Sequence, residues 1–412
     1  MKPYELFDLI RLDDPEELEL KHTLRFRRRS RSNPCSFDDL IQALQSNESI
    51  RTVRCQGNVS LGITQEEWFL FVQTLGKIPA LRQLSFLGQD VPNVPPVQAV
   101  ADAVGSARLL RTFQIGEGVI LFGSKTGFET LCYNISSCCL DLEQVEWQGK
   151  FRSTWEIREN RDTNNCLDPL FRALALCSRL RSVQIWTDAV NYVTPQAVRE
   201  LLLRAPVLQY LDLKTTEWEV VAEMFGQESC CIQTLKLSTL RCPGSGGEAL
   251  ARAVGQNRHL QSLTLRVGTG FTDALGVALA QALQVNTTLK ELVMVDQWDY
   301  GFRTTDHMNI SAYQALRNML RVNTNVVLQV PDLDARWSPD LVDMVRPHYD
   351  RMLIEMRLNA AGRGGLMLGS QASKAAWVKT LHELIVQDDD VLQVDCLYTL
   401  LKLNPSICQL DR

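Results

Sequence analysis

The stretch "ALARAVGQNRHLQSLTL", residues 249–265, returns in altered form as "ALAQALQVNTTLKELVM", residues 278–294. Each copy begins with apolar residues at helical spacing, passes through an Asn, and ends in an L-x-x-L-x-L phrase with apolar residues in alternation. Apolar residues at i, i+3, i+4 and i+7 indicate an amphipathic helix, and alternation indicates a strand with one buried face. The stretch therefore predicts a unit of one helix followed by one short strand.

The alternating phrase recurs along most of the chain at a period close to 29 residues. Its copies begin at Ile50, Leu81, Leu110, Leu142, Leu180, Leu208, Ile232, Leu260, Leu289 and Val326. One such unit cannot bury its apolar face alone, so neighbouring units must stack on each other. A strand and a helix at this period are typical of a leucine-rich repeat. The sequence predicts an α/β leucine-rich repeat solenoid (horseshoe) with an inner parallel sheet and outer helices.

The period and the full helix in each unit resemble the ribonuclease-inhibitor-like subfamily of leucine-rich repeats over residues 37–330. The most specific feature is an Asn three residues before the strand phrase, at Asn47, Asn257, Asn286 and Asn323. That subfamily usually carries Asn or Cys three positions after the phrase as well, and here only Asn58 does. The resemblance implies a curved solenoid, and the departure from the subfamily pattern predicts an irregular turn after each strand.

Three segments are predicted from where the repeat begins and ends. Residues 1–36 form an N-terminal cap and basic segment with a strand near residues 17–20. Residues 37–330 form the solenoid of about ten repeats. Residues 331–412 form a helical C-terminal cap, because Ser338-Pro339 begins a helical pattern, Pro347 kinks or splits it, and further helices are expected at 373–386 and 391–403.

Several helix starts are predicted within the solenoid. The segment Thr64-Gln-Glu-Glu67 has the capping-box pattern. In Thr194-Pro195 and Asp168-Pro169 a proline stands where the first helical residue is expected.

The composition excludes several functional classes. The chain has 412 residues, a formal net charge of −5 and a pI near 5.7, which disfavours a chain-wide role on nucleic acid or on an anionic membrane. No apolar run of 18 residues occurs, which disfavours a spanning helix. The five histidines lie at no metal-ligand spacing, and the sequence lacks a phosphate-binding loop and a nucleophile elbow. We therefore expect no enzyme activity, cofactor or metal, and no nucleic-acid or membrane partner.

The twelve cysteines are interpreted as reduced thiols that pack as small apolar groups, which predicts a cytoplasmic location with the nucleus as an alternative. An enzyme acting through the C-terminal domain is the contrasting hypothesis. Some bacterial ubiquitin ligases join leucine-rich repeats to a helical domain with a catalytic cysteine, and Cys396 lies in the corresponding part of this chain. Its apolar helical surroundings favour a buried thiol instead.

The arginine-rich segment "RFRRRSRS", residues 25–32, has several interpretations. It fits a nuclear-localisation signal or a patch for an acidic partner. Phosphorylation at Ser30 or Ser32 would reduce its charge. The alternative is a solvated edge of the N-terminal cap.

The sequence predicts a non-enzymatic module that binds a protein partner on the concave sheet face or on a rim of loops. The non-anchor residues of each strand point toward the concave face, where the candidates are Arg54, Tyr210, Asp212 and Lys236. Aromatic residues that follow strands would line the rim, namely Trp186, Trp218, Trp298 and Tyr300, since such residues are favoured at interfaces. Two longer insertions, 149–166 and 297–309, are expected to be loops. A regulatory subunit, either a ligase substrate receptor or a GTPase regulator, is the alternative binding function.

Overall fold

Parallel strands that alternate with helices make up the computed structural model of this chain. The structure describes residues 17–20, 37–56, 64–87, 96–116, 119–123, 125–148, 150–153, 167–186, 193–227, 230–239, 244–268, 270–296, 308–331, 333, 339–361, 382, 395–399 and 402. The chain divides into two compact units, Met1–Thr215 and Thr216–Arg412, which are called unit 1 and unit 2 below.

Unit 1 contains a parallel sheet whose strands follow the chain order. Its strands are β1 Glu17–Leu20, β2 Thr52–Gln56, β3 Gln83–Leu87, β4 Thr112–Ile115, β6 Gln144–Trp147, β8 Ser182–Ile185 and β9 Tyr210–Lys214. Each strand pairs in parallel with the next one in this series. The helices between them are α1 Phe37–Ser46, α2 Gln65–Leu75, α3 Val97–Ser106, α4 Lys125–Cys138, α5 Asp168–Leu174 and α6 Pro195–Arg204. The predicted strand near residues 17–20 is present and pairs with β2.

Unit 2 repeats the same arrangement. Its strands are β10 Thr234–Thr239, β11 Ser262–Val267, β12 Glu291–Asp296 and β13 Val327–Gln329, paired in parallel in that order. Its helices are α7 Trp218–Phe225, α8 Gly244–Gln256, α9 Asp273–Val285, α10 Ile310–Val322 and α11 Pro339–Ala360. Parallel strands joined through helices confirm the predicted α/β leucine-rich repeat fold.

The core of each unit lies between the sheet and its helices. All three apolar residues of every strand phrase are buried, from Ile50, Val53 and Cys55 to Val326, Leu328 and Val330. The helices contribute a buried stripe to the same core, such as Leu40, Ile41 and Leu44 of α1. Burial of this stripe is what a short helix requires for stability in water.

Asn257, Asn286 and Asn323, which we call the Asn row, link neighbouring repeats through hydrogen bonds. Asn286 Oδ1 accepts hydrogen bonds from the backbone N–H of Thr288 (2.9 Å) and Leu289 (2.8 Å). Its Nδ2 donates to the backbone carbonyls of Val254 (2.6 Å) and Asn257 (2.9 Å) in the preceding repeat. Asn257 and Asn323 make equivalent bonds. The Asn side chain thus satisfies buried backbone groups where each helix turns into a strand.

Two cysteines occupy this position in unit 1, a feature that the sequence analysis did not identify. Cys139 and Cys177 each stand three residues before a strand phrase and are buried. The Cys139 thiol points to the carbonyl of Val104 (3.5 Å), and the Cys177 thiol points to the carbonyl of Ile135 (3.9 Å). A thiol is a weak donor, so these repeats are joined less strongly than those with Asn.

Helices begin at all three predicted places, and the start at Asp168 lies one residue earlier than predicted. Thr64 and Glu67 form the predicted capping box, with Thr64 N–H donating to Glu67 and Glu67 N–H donating to Thr64 Oγ1. Thr194 caps α6 through the N–H of Ala197. Asp168 is the first residue of α5 and Pro169 follows in its first turn, and the Asp168 carboxylate accepts from the N–H and the hydroxyl of Thr194 (2.7 and 2.6 Å). Asp168 therefore ties α5 to the start of α6.

The first insertion contains a strand that the sequence analysis missed. Residues Lys150–Ser153 form β7, which pairs in parallel with β5, Ile120–Gly123. These two strands follow β4 and β6 and form a second, smaller sheet. Part of the expected loop 149–166 is therefore regular structure, because two neighbouring repeats place extended segments side by side. Residues 154–166 and 297–307 lie outside the described residues.

The C-terminal helix α11 runs through Pro347 without interruption to Ala360, so Pro347 does not split it. Glu355 on this helix is buried and pairs with Arg321 Nε (2.6 Å) and Arg317 Nε (3.5 Å) of α10. The expected helices at 373–386 and 391–403 and the segment 25–32 fall mainly or wholly outside the described residues. The boundaries at residues 36 and 330 remain predictions.

Candidate functional site

The sheet of unit 1 has one face that turns away from the helices, and its side chains form regular rows. The middle row is set by strand register and runs Arg54, Ser85, Gln114, Glu146, Gln184, Asp212. The preceding row runs Thr52, Gln83, Thr112, Gln144, Ser182, Tyr210. We call these two rows, with Gln148 and Trp186 that follow β6 and β8, the open sheet face.

Hydrogen bonds join several side chains across the open sheet face. Ser85 Oγ donates to Gln114 Oε1 (2.7 Å), and Gln114 Nε2 donates to Glu146 Oε2 (3.0 Å). Gln83 Nε2 reaches both Ser85 and Gln114 (3.2 Å each), and Gln148 Nε2 donates to Glu146 Oε1 (2.7 Å). Such a network fixes the rotamers of side chains that would otherwise be mobile at a surface.

Trp186 and Tyr210 meet at Asp212. The indole Nε1 of Trp186 donates to Asp212 Oδ1 (2.7 Å), and the Tyr210 hydroxyl lies 3.4 Å from Asp212 Oδ2. Both aromatic side chains are half-buried, whereas Asp212 is only 1% exposed. The structure therefore places Trp186 on the open sheet face, and Asp212 acts by holding two aromatic rings. All three residues were candidates from the sequence, but their meeting at one point was not predicted.

Glu146 gives this part of the face its negative character. Burial raises the pKa of its carboxyl above the ordinary value, the hydrogen bond from Gln114 opposes that rise, and the charge of Asp212 adds to it. Glu146 lies two strands from Asp212 in the middle row, with Gln184 between them. Glu146 was not among the candidates chosen from the sequence. The sequence feature that could have identified Glu146 is an acidic residue at the same strand position as Asp212.

The remaining candidates that the structure describes lie in three different settings. Arg54 is half-buried at the β2 end of the middle row in unit 1. Lys236 is half-buried in unit 2, in register with Thr264 and Val293. Trp218 is the first residue of α7 and is 0% exposed, which corrects its placement on a rim, since a helical start turned its ring into the core. Trp298 and Tyr300 lie outside the described residues.

The titratable groups of the described residues give no catalytic arrangement that we recognise. Within those residues there is no group of three or more His, Cys, Asp or Glu side chains able to hold a metal ion. Cys396 is buried, with its thiol 4.0 Å from the carbonyl of Ile354. Burial raises the pKa of Cys55, Cys139 and Cys177 to about 12, which suppresses the reactive thiolate. Among the helices that the structure describes, none combines the length and apolar character needed to span a membrane.

Among solved structures, two with distant similarity to this chain are compared with it by identity and TM-score. No family model matches the sequence, and no curated protein matches it. The leucine-rich repeat-containing protein LegL7 from Legionella pneumophila is 13% identical, with a TM-score of 0.36, over 74% of this chain and 89% of LegL7. Actin-binding site 2 of leiomodin-1 is 17% identical, with a TM-score of 0.24, over 36% of this chain and 78% of that one. At these TM-scores neither similarity carries an argument, so the repeat assignment depends on this chain's own strands and helices.

Proposed function

We propose that this chain is a non-enzymatic protein-interaction module that binds a protein partner on the open sheet face of unit 1. The observation that carries the proposal is the cluster of Trp186, Tyr210 and Asp212 beside Glu146. Hot spots of interfaces favour Trp and Tyr that are held rigid and partly desolvated. A ring that is already fixed loses less conformational entropy when a partner binds.

The chemistry of the cluster favours a basic side chain from the partner. Glu146 supplies a carboxylate whose two oxygens already accept from Gln114 and Gln148, so its position is defined. A cation over the Trp186 or Tyr210 ring would gain attraction from the aromatic face as well. A partner lysine or arginine is therefore the group that this part of the surface accommodates best.

The subfamily, a regulatory role and the cellular location are also part of this proposal. Membership of the ribonuclease-inhibitor-like subfamily is supported by the near-29-residue period and by the Asn row. A regulatory role, as a ligase substrate receptor or a GTPase regulator, would use the same open sheet face and would be decided by the identity of the partner. The cytoplasmic location, with the nucleus as an alternative, stays a prediction.

The experiment is capture of partners by the intact chain, followed by affinity measurement with the purified partner. The variants are Trp186→Ala and Glu146→Lys, and the matched control is Tyr133→Ala on the outer face of α4, where the side chain is 69% exposed. We expect each site variant to weaken binding at least about tenfold, since hot-spot truncation costs roughly 2 kcal/mol or more. The control should bind as the wild type does. Equal affinity of all variants, with folding verified by circular dichroism, would overturn the proposal.

A further inference from the structure

The sheet of unit 1 also has an edge at which each helix turns into the next strand. It comprises residues 46–51, 76–82, 107–111, 139–143, 175–181 and 203–209, all of which are described. We call it the helix-to-strand edge. It is separate from the open sheet face, because its side chains precede the strands.

Arginines form a stacked row along this edge. The backbone N–H of Arg82 donates to the carbonyl of Arg51 (2.7 Å), and Arg111 N–H donates to Arg82 (2.7 Å). The same ladder continues from Arg111 through Glu143 to Arg181 (2.8 Å each). Adjacent strands lie roughly 4.8 Å apart, so these charged side chains project at short, regular intervals.

The local charge is opposite to that of the whole chain. The basic side chains of the edge are Arg51, Lys77, Arg82, Arg108, Arg111, Arg179, Arg181 and Arg204. They outnumber its acidic ones, Glu48, Asp141 and Glu143. Within the edge, Arg111 pairs with Glu143 (3.3 Å) and Arg179 pairs with Asp141 (3.1 Å). The edge is therefore basic on a chain whose formal net charge is −5.

Exposed leucines accompany the arginines in four consecutive turns. Leu109, Leu140, Leu176 and Leu203 are 48%, 58%, 52% and 54% exposed. A single exposed apolar residue needs no explanation, but one in each of four consecutive repeats gives this edge apolar groups that a partner can cover. Three strand intervals span roughly 14 Å, which about ten residues of a helix would match.

We propose that the helix-to-strand edge is a second docking surface, and that its occupant is an acidic amphipathic segment of a protein partner. Apolar side chains of that segment contact Leu109, Leu140, Leu176 and Leu203, and its carboxylates pair with arginines such as Arg82, Arg108 and Arg181. Carboxylate–arginine pairs are strong when they form two hydrogen bonds.

A peptide explains the edge better than a nucleic acid or a membrane does. Asp141 and Glu143 stand in the middle of the arginine row, where they would repel a phosphate backbone or anionic lipid headgroups. A phosphate backbone also offers no apolar groups for the exposed leucines to contact. A protein segment can place apolar groups on the leucines and turn its carboxylates away from Asp141 and Glu143.

The test is selection of peptides from a random 16-residue display library on the whole chain, followed by affinity measurement with the synthesised peptides. We expect enriched peptides to be acidic, with apolar residues at i, i+3 and i+4 spacing. Arg82→Glu with Arg181→Glu, and separately Leu140→Ser with Leu176→Ser, should each weaken their binding at least tenfold. Trp186→Ala on the open sheet face and the exposed Tyr133→Ser are the matched controls, and they should leave the affinity unchanged.

Other outcomes would overturn the proposal. These outcomes are no enrichment, enrichment of neutral or basic peptides only, or acidic peptides that bind both edge variants as tightly as the wild type. A 20-base-pair DNA duplex and phosphatidylserine vesicles serve as competing probes. Tighter binding of either probe than of the selected peptides, lost in the arginine variant, would replace the peptide with a nucleic acid or a membrane. Urea unfolding of each variant verifies that the loss of binding is not a loss of fold.

Discussion

The indole Nε1 of Trp186 donates a 2.7 Å hydrogen bond to Asp212 Oδ1 on the neighbouring strand. Asp212 is almost fully buried. A partner would therefore contact the Trp186 and Tyr210 rings, and the Asp212 carboxylate would contribute by holding those rings in place. The two residues are 26 positions apart in sequence, close to one repeat. The stacking of repeats is therefore what creates this site.

Removal of the Asp212 carboxylate should loosen the aromatic cluster. We expect Asp212→Ala to lower the free energy of unfolding by about 1–2 kcal/mol, because the Trp186 indole and the Tyr210 hydroxyl lose their shared acceptor. Asp212→Asn keeps one acceptor oxygen and should cost less. Urea denaturation of the two variants measures the difference, and equal costs would show that the hydrogen bonds do not stabilise the cluster.

Glu146 should make stability depend on pH. Its pKa is raised in the folded chain, so between the ordinary pKa of Glu and the raised one the folded state holds more protons than the unfolded state. The contribution of Glu146 to stability is therefore fully present below the ordinary pKa, and it falls as pH rises through the raised one. We expect the stability of Glu146→Gln relative to the wild type to increase from pH 4 to pH 7. Urea denaturation along this range measures it, and parallel curves would contradict the prediction.

The Asn row and its cysteine replacements should differ in strength. Asn286→Ala removes four hydrogen bonds to buried backbone groups and should cost roughly 2–4 kcal/mol, since each unsatisfied buried group is expensive. Cys139→Ala at the same repeat position removes only a weak thiol contact and should cost about 1 kcal/mol. Thermal or urea unfolding compares them, and equal losses would mean that the Asn side chain acts only by filling space.

Glu355 should anchor α11 to α10. It is 2% exposed, and its carboxylate pairs with Arg321 and Arg317. Burial and the charge of Arg321 lower the pKa of Arg317, and Glu355 opposes that shift. Glu355→Ala should therefore destabilise unit 2 by about 1–2 kcal/mol, less than for a fully buried pair, because Arg317 and Arg321 lose their counterion but keep contact with water. Arg321→Ala should cost less, because Arg321 is half exposed and its loss leaves Glu355 paired with Arg317. Hydrogen exchange in α11 would report both effects, and unchanged protection in Glu355→Ala would contradict this role.

Thiol reactivity should separate Cys231 from the buried cysteines. Cys231 is exposed, whereas Cys55, Cys139 and Cys177 are buried, with pKa values raised to about 12. Iodoacetamide at pH 8 should label Cys231 before the three buried thiols, which should react only after unfolding. Mass spectrometry of the labelled peptides measures the order. Rapid labelling of native Cys396, which is buried, would support the alternative hypothesis of an enzyme.

The repeat, the fold class and the buried residues could be predicted from the sequence because they depend on local periodicity. Alternation at Leu260, Leu263 and Leu265 requires a strand with one buried face, and the helical stripe before it requires a neighbour to cover it. Asn286 could also be recognised from the sequence as a repeat position. The turn from helix to strand leaves backbone groups that need a hydrogen-bonding side chain.

Only the tertiary structure decided which residues meet and which are covered. Trp186 and Trp218 look alike in sequence, as aromatic residues shortly after a strand. Register with Asp212 held Trp186 on the open sheet face, whereas a helix that begins at Trp218 turned that ring into the core. The pairing of Lys150–Ser153 with Ile120–Gly123 and the arginine row depend in the same way on repeats being stacked. Sequence periodicity fixes which face of an element is apolar, but contacts between repeats fix what each polar or aromatic side chain touches.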